Sequence, residues 1–101
     1  MTSSPFDPRS TTGSPGGVSV TVYGADWCGD CVRSKALLER VGVPYLWVDL
    51  VAEPDQTAEV LRRNAGRQSI PVVVFPDDSH LTEPSDPELS ARLADLGLLP
   101  V

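Results

Sequence analysis

The sequence predicts an α/β fold, a four-stranded mixed sheet with three helices on its two faces. Strand and helix signals alternate in the order strand, helix, strand, helix, strand, strand, helix. The strand segments are rich in β-branched residues, and the helical ones are bounded by Gly, Pro and capping residues. With 101 residues, 41% of them hydrophobic, the chain can fill one core and is too short for two.

Each element can be justified in turn. Residues 1–17, MTSSPFDPRSTTGSPGG, are too rich in Ser, Thr, Pro and Gly to bury a core. They are expected to form a disordered tail, with the folded domain at 18–101. In VSVTVYG, Val18, Val20 and Val22 alternate along a strand that ends at Gly24. DCVRSKALLERVG follows as a helix with Val32, Ala36, Leu37 and Val41 on one face; Gly42 closes it and Pro44 prevents its continuation. PYLWVDLV is apolar enough for a strand covered on both sides, which makes Tyr45 and Trp47 core residues.

EPDQTAEVLRRNAG reads as a second helix with Ala58, Leu61 and Ala65 at helical spacing, ending at Gly66. IPVVVFP is the strongest strand signal in the chain. PDDS is turn chemistry, and HLTE a short returning edge strand, with His80 as a surface residue. The last segment places Ser85 and Glu88 at capping-box spacing, Asp86 and Pro87 in the first turn, and Leu89, Leu93 and Leu96 on the buried stripe. The first strand–helix–strand unit should be a right-handed parallel crossover and the last two strands a hairpin.

Composition removes several functions. Eight basic residues against 14 acidic ones leave a net charge of −6, which disfavours nucleic acid. No apolar run approaches the roughly 20 residues of a membrane span. The first residues lack the apolar centre of a secretion signal, so a cytoplasmic location is expected. In a reducing compartment a lone cysteine pair is seldom a permanent staple. A zinc site needs about four ligands, and two cysteines with the distant His80 do not supply them, so no metal site is expected.

The cysteines lie in ADWCGDC, where the first strand has ended and the first helix begins. A helix N-terminus presents unpaired N–H groups and partial positive charge, which favour thiolate at Cys28. Cys31, one turn further in, shares a face with Cys28 and lies closer to the core. That asymmetry makes Cys28 the attacking thiol and Cys31 the resolving one. Free cysteines are often simply small core residues, but Gly29 and Asp30 between them do not suit a core. Asp26 and Asp30 oppose a thiolate by like charge, and Arg33, Lys35 and Arg67 are candidates to offset them.

WCGDC after the first strand, SIPVVVF, and LTEPSDPEL entering the last helix together resemble the glutaredoxin branch of the thioredoxin-like fold. Within that branch they are most similar to the mycoredoxins of actinobacteria, from Val18 to about Leu98. The resemblance implies a cis bond at Ile70–Pro71, facing the cysteines, with the Ile70 main chain open to an incoming disulfide. It implies no bound cofactor, but a thiol co-substrate: mycothiol or glutathione. Substrate contacts are expected from Trp27, Arg67, Ile70, Pro71, Thr82, Ser85 and Asp86, with Gln68 beside Arg67. Trp27 would shield the sulfurs and offer a flat docking surface.

The chain departs from glutathione-using members in two places. Ala25 and Asp26 stand where those carry a lysine, and charged and apolar residues replace their Gly-Gly turn, although Ser85-Asp86 is similar to the pair that holds a γ-glutamyl group. The loss of a cation suits mycothiol better. The expected activity is reduction of mixed disulfides between proteins and a low-molecular-weight thiol, by a monomer. The alternative is a protein-dithiol donor of the thioredoxin or NrdH-redoxin kind, recycled by a flavin disulfide reductase. A cluster-carrying dimer built on Cys28 is a third and weaker reading.

Overall fold

The computed structural model describes residues 20–99. The expected tail and the start of the first strand at Val18 lie outside them. Within them the elements run β1 (Val20–Gly24), α1 (Gly29–Val41), β2 (Tyr45–Asp49), α2 (Thr57–Arg63), β3 (Val72–Val74), β4 (His80–Thr82) and α3 (Asp86–Asp95), with a 3₁₀ turn at Pro54–Gln56 leading into α2.

The four strands form one sheet in the order β2-β1-β3-β4. β1 and β2 are parallel, with Val22 opposite Trp47; β3 runs antiparallel to β1 and forms a hairpin with β4. Residues opposite each other share a face of the sheet. Val22, Trp47, Val73 and Leu81 therefore point one way, toward Leu37 and Leu38 of α1 and Leu89 and Leu93 of α3, and this is the main core. Tyr23, Val48, Val72 and Thr82 point the other way, toward α2, where Val60 is fully buried. The thioredoxin-like arrangement expected from the sequence is thus present, with Tyr45 and Trp47 in or against the core.

Helix ends follow local chemistry. Gly42 closes α1 in the left-handed region at φ 79°, and its N–H reaches the carbonyls of Leu38 and Glu39. Ser85 caps α3 and makes the reciprocal capping box with Glu88.

Two expectations are corrected. α1 buries Cys31, Ser34, Leu37 and Leu38, whereas Val32 is 51% exposed and Ala36 is on the surface. The inward stripe is turned because Cys31, not Val32, faces the sheet. α2 ends at Arg63 rather than at Gly66, and its buried residue is Val60, while Ala58 and Ala65 are exposed. Asn64 caps the helix, Ala65 takes a left-handed φ of 54°, and the Gly66 N–H returns to the Leu61 carbonyl at 2.7 Å, a Schellman-type closure.

α2 is anchored from its last residue. Arg63, with only 8% of its side chain exposed, pairs with Glu59 at 2.7 Å and with the Asp78 carboxylate, and donates to the Asp78 carbonyl at 2.9 Å. This ties the helix to the β3–β4 turn, and the guanidinium also lies 3.4 Å from His80 Nδ1 at the start of β4.

Candidate active site

After Gly24 the chain turns through Ala25–Trp27, and Cys28 becomes the N-cap of α1 with extended backbone angles (φ −86°, ψ 115°). Its sulfur accepts the Cys31 N–H at 3.3 Å, in the place a capping oxygen usually takes. A free helix N–H aimed at sulfur supports negative charge there. The Cys28 N–H is itself held by the Ala25 carbonyl at 3.1 Å.

Both cysteines are free thiols, and their environments differ. Cys28 is half-buried, whereas Cys31 is 0% exposed. Burial, aided by the adjacent Cys28, pushes the Cys31 thiol up to about 12. It is a protonated thiol at neutral pH, placed one turn behind the accessible one. Room for it comes from Gly24: a Cβ there would overlap the Cys31 sulfur and come within 3.0 Å of the Trp47 ring.

The neighbouring acids are paired. Asp30 bonds Arg33 at 2.9 Å, and Asp26 lies 4.0 Å from Lys35, whose ammonium also sits 3.8 Å above the Trp47 ring. Arg33 and Lys35 thus offset the two aspartates as expected; Arg67 does not, being exposed and without an ion pair among the described residues.

Ile70–Pro71 is a cis peptide bond, and the Ile70 carbonyl lies 4.0 Å from the Cys28 sulfur. Pro71 is buried, and its carbonyl accepts the Glu83 N–H at 2.8 Å, which fixes this segment to the end of β4. Trp27 is 76% exposed, so it stands beside the thiol as open surface and is not a cover for the sulfurs. With Leu50, Val51, Val60, Gln68 and Ile70 it lines a cleft of about 180 Å³ that is mostly apolar.

The remaining expected contacts have structural partners. Ser85 accepts the Glu88 N–H at 3.2 Å as the cap of α3. Asp86 lies 3.3 Å from the Arg33 guanidinium, which also donates to the Pro84 carbonyl at 3.2 Å and so joins the start of α3 to α1. The Thr82 hydroxyl donates to Asn64 at 2.6 Å. Asn64 was not anticipated: the sequence reading runs the helix on to Gly66, and the partner of Asn64 lies on β4. Among the described residues no three His, Cys, Asp or Glu side chains gather into a metal site.

Fold and site define a dithiol oxidoreductase with one open and one buried cysteine at a helix N-terminus. A glutaredoxin family model matches residues 20–81, and the chain belongs to the glutaredoxin family of thiol–disulfide oxidoreductases, which act with a low-molecular-weight thiol on protein disulfides. It is similar to a Mycobacterium tuberculosis protein described as a glutaredoxin, at 35% identity over 78 residues, covering 77% of this chain and 93% of that one. It is also similar to mycoredoxin 1 of Corynebacterium glutamicum, at 30% identity over 79 residues, covering 77% and 96%. The crystal structure of an Archaeoglobus fulgidus glutaredoxin superposes with a TM-score of 0.65 at 24% identity, over 76% of this chain and 87% of that one.

Proposed function

We propose that the protein reduces mixed disulfides between proteins and a low-molecular-weight thiol, mycothiol in particular, with Cys28 as the nucleophile and Cys31 as the resolving thiol. The observation that carries this reading is the division between the cysteines: Cys28 is accessible and takes a helix N–H on its sulfur, while Cys31 is buried with its thiol pushed up to about 12.

In the first step the Cys28 thiolate attacks the small thiol's sulfur in the mixed disulfide. The Cys28–small-thiol disulfide forms, the mixed disulfide breaks, and the protein leaves as thiolate and takes up a proton. A second small thiol, as thiolate, then attacks the adduct, releasing the oxidised small-thiol disulfide and returning Cys28 to thiolate. Alternatively Cys31, on giving up its proton, attacks Cys28, expels the small thiol and closes the internal disulfide.

Ile70 and Pro71 supply main chain beside the sulfur. Trp27 supplies open apolar surface, and Arg67, Ser85 and Asp86 supply polar contacts at the rim. Mycothiol is favoured over glutathione by the local charges. No lysine precedes Cys28, and Arg33 and Lys35 are engaged by Asp30, Asp86 and Asp26, which leaves the exposed Arg67 as the remaining cation at this rim, a sparse set for an anionic peptide. The relative named mycoredoxin 1 agrees with this choice. A lone cysteine pair at a helix start, suited to redox chemistry and not to a permanent staple, fits a reducing, cytoplasmic setting.

Turnover of a mixed disulfide tests the assignment. Cys31→Ser should keep activity with the small thiol as reductant, and Cys28→Ser should abolish it. Full turnover by Cys28→Ser would overturn the reading. Strict dependence on both cysteines, with recycling by a flavin disulfide reductase alone, would point instead to a protein-dithiol donor.

A further inference from the structure

One side-chain pair is not explained by the cysteine chemistry. Thr82 Oγ1 donates to Asn64 Oδ1 at 2.6 Å, and Asn64 Nδ2 donates to the Ser69 carbonyl at 3.0 Å. Asn64 is the residue at which α2 stops, and Thr82 is the last residue of the edge strand β4. A single amide therefore joins a helix end, a sheet edge and the segment that enters the active site. An amide has distinct donor and acceptor ends, and the Thr82 O–H, by filling the oxygen, fixes which end faces Ser69.

Ser69 is followed by Ile70, whose carbonyl lies 4.0 Å from the Cys28 sulfur. On its far side the stretch is tied by the Pro71 carbonyl, which accepts the Glu83 N–H at 2.8 Å; on its near side the Asn64 amide is its side-chain tie among the described residues. Arg67 and Gln68 are exposed, the Arg67 N–H returns to Asn64, and β3 begins only at Val72. Asn64 and Thr82 leave Cys28, its helix and its charged neighbours untouched.

We propose that Asn64 is a positioning residue for the reaction at Cys28, with Thr82 setting its orientation. Together they hold the Ser69–Ile70 main chain where the backbone of an incoming disulfide pairs with it. This rests on Cys28 being the nucleophile and adds the device that places its substrate. Loss of the pair loosens main-chain docking and leaves the sulfur's own reactivity intact.

The test uses the full chain, reduced, carrying Cys31→Ser, with a fluorescent cysteine peptide in mixed disulfide with N-acetylcysteine as the probe. Adduct formation on Cys28 is followed against probe concentration, which separates half-saturation from maximum rate. Iodoacetamide alkylation across about pH 5 to 9 reports the sulfur alone. Thr82→Val should raise the half-saturating concentration about fivefold to tenfold, the scale of one lost hydrogen bond, with the maximum rate within about twofold and the alkylation profile unchanged. Thr82→Ser, which keeps the hydroxyl, should restore the parent value, and Asn64→Ala should match Thr82→Val.

Parent-like half-saturation in Thr82→Val overturns the proposal. So does equal impairment of Thr82→Ser and Thr82→Val, or a shifted alkylation profile. If Asn64→Ala does not fold, Asn64→Asp, which keeps the acceptor for Thr82 and loses the donor to Ser69, takes its place; parent-like half-saturation in the Asn64 variant that folds overturns the proposal, because a Thr82 in direct contact with substrate would give that result. An absence of any adduct in the parent overturns the assignment of Cys28 and this proposal with it, whereas a normal parent with an indifferent Thr82→Val overturns only the positioning role.

Discussion

Gly24 and Cys31 meet across the end of β1: the missing side chain of one is the space occupied by the sulfur of the other. The buried thiol therefore depends on the strand beneath it as much as on the helix that carries it. Adding a methyl to a filled core costs about 1–3 kcal/mol. Gly24→Ala is predicted to lose stability in that range, and to lose less when combined with Cys31→Ala. Chemical denaturation of the four variants measures the coupling, and simple additivity would contradict it.

Cys31 also predicts an alkaline dependence. Its folded pKa of about 12 stands above the ordinary value of 9.0, so between these limits the folded chain keeps a proton that the unfolded chain has released. The contribution is fully present below about pH 9 and falls as pH rises toward 12, by about 1.4 kcal/mol per pH unit. Wild-type stability should drop faster than that of Cys31→Ser across this window. Parallel curves would show that the thiol is not held neutral.

At acid pH the corresponding group is Glu59. Its hydrogen bonds from Arg62, with Arg63, hold the carboxyl down at about 2, below the ordinary 4.5. The stabilisation is present above about pH 4.5 and is lost as pH falls through 2, so Glu59→Gln should flatten this part of the stability curve. Arg63 joins Glu59 to Asp78 while largely buried, and Arg63→Ala should cost about 2 kcal/mol, between the exposed and buried limits for ion pairs. A loss well under 1 kcal/mol would mean that α2 is anchored elsewhere.

Ser34 predicts a gain. Its hydroxyl is fully buried on α1 without a hydrogen-bond partner among the described residues. Removing an unsatisfied hydroxyl and introducing the best helix former should stabilise the protein by about 1 kcal/mol. A rise in the thermal midpoint of Ser34→Ala would bear this out; a fall would reveal a partner for the hydroxyl.

What the sequence disclosed follows the range of each interaction. The order of strands and helices, the α3 capping box and the burial of Cys31 behind Cys28 depend on residues within a turn of each other, and these were legible. The inward face of α1 was misread because its stripe runs through Cys31 and Ser34, which a hydrophobicity pattern passes over in favour of Val32. The end of α2 was misread because Asn64 answers to Ser69 and Thr82, and Thr82 lies 18 residues away on the edge strand β4. Arg33 and Lys35 were recognisable as partners for the aspartates near Cys28. The further contacts of Arg33 with Pro84 and Asp86 emerge only once α3 packs on α1.

The central claim is that Cys28 is the one of the two cysteines that attacks the substrate and that the partner is a small thiol other than glutathione. The most direct measurement mixes reduced Cys31→Ser protein with oxidised mycothiol and, separately, with oxidised glutathione, and reads intact masses over time. The account predicts a rapid single mycothiol adduct, mapped to Cys28, with little glutathione adduct. No adduct from either disulfide would contradict it.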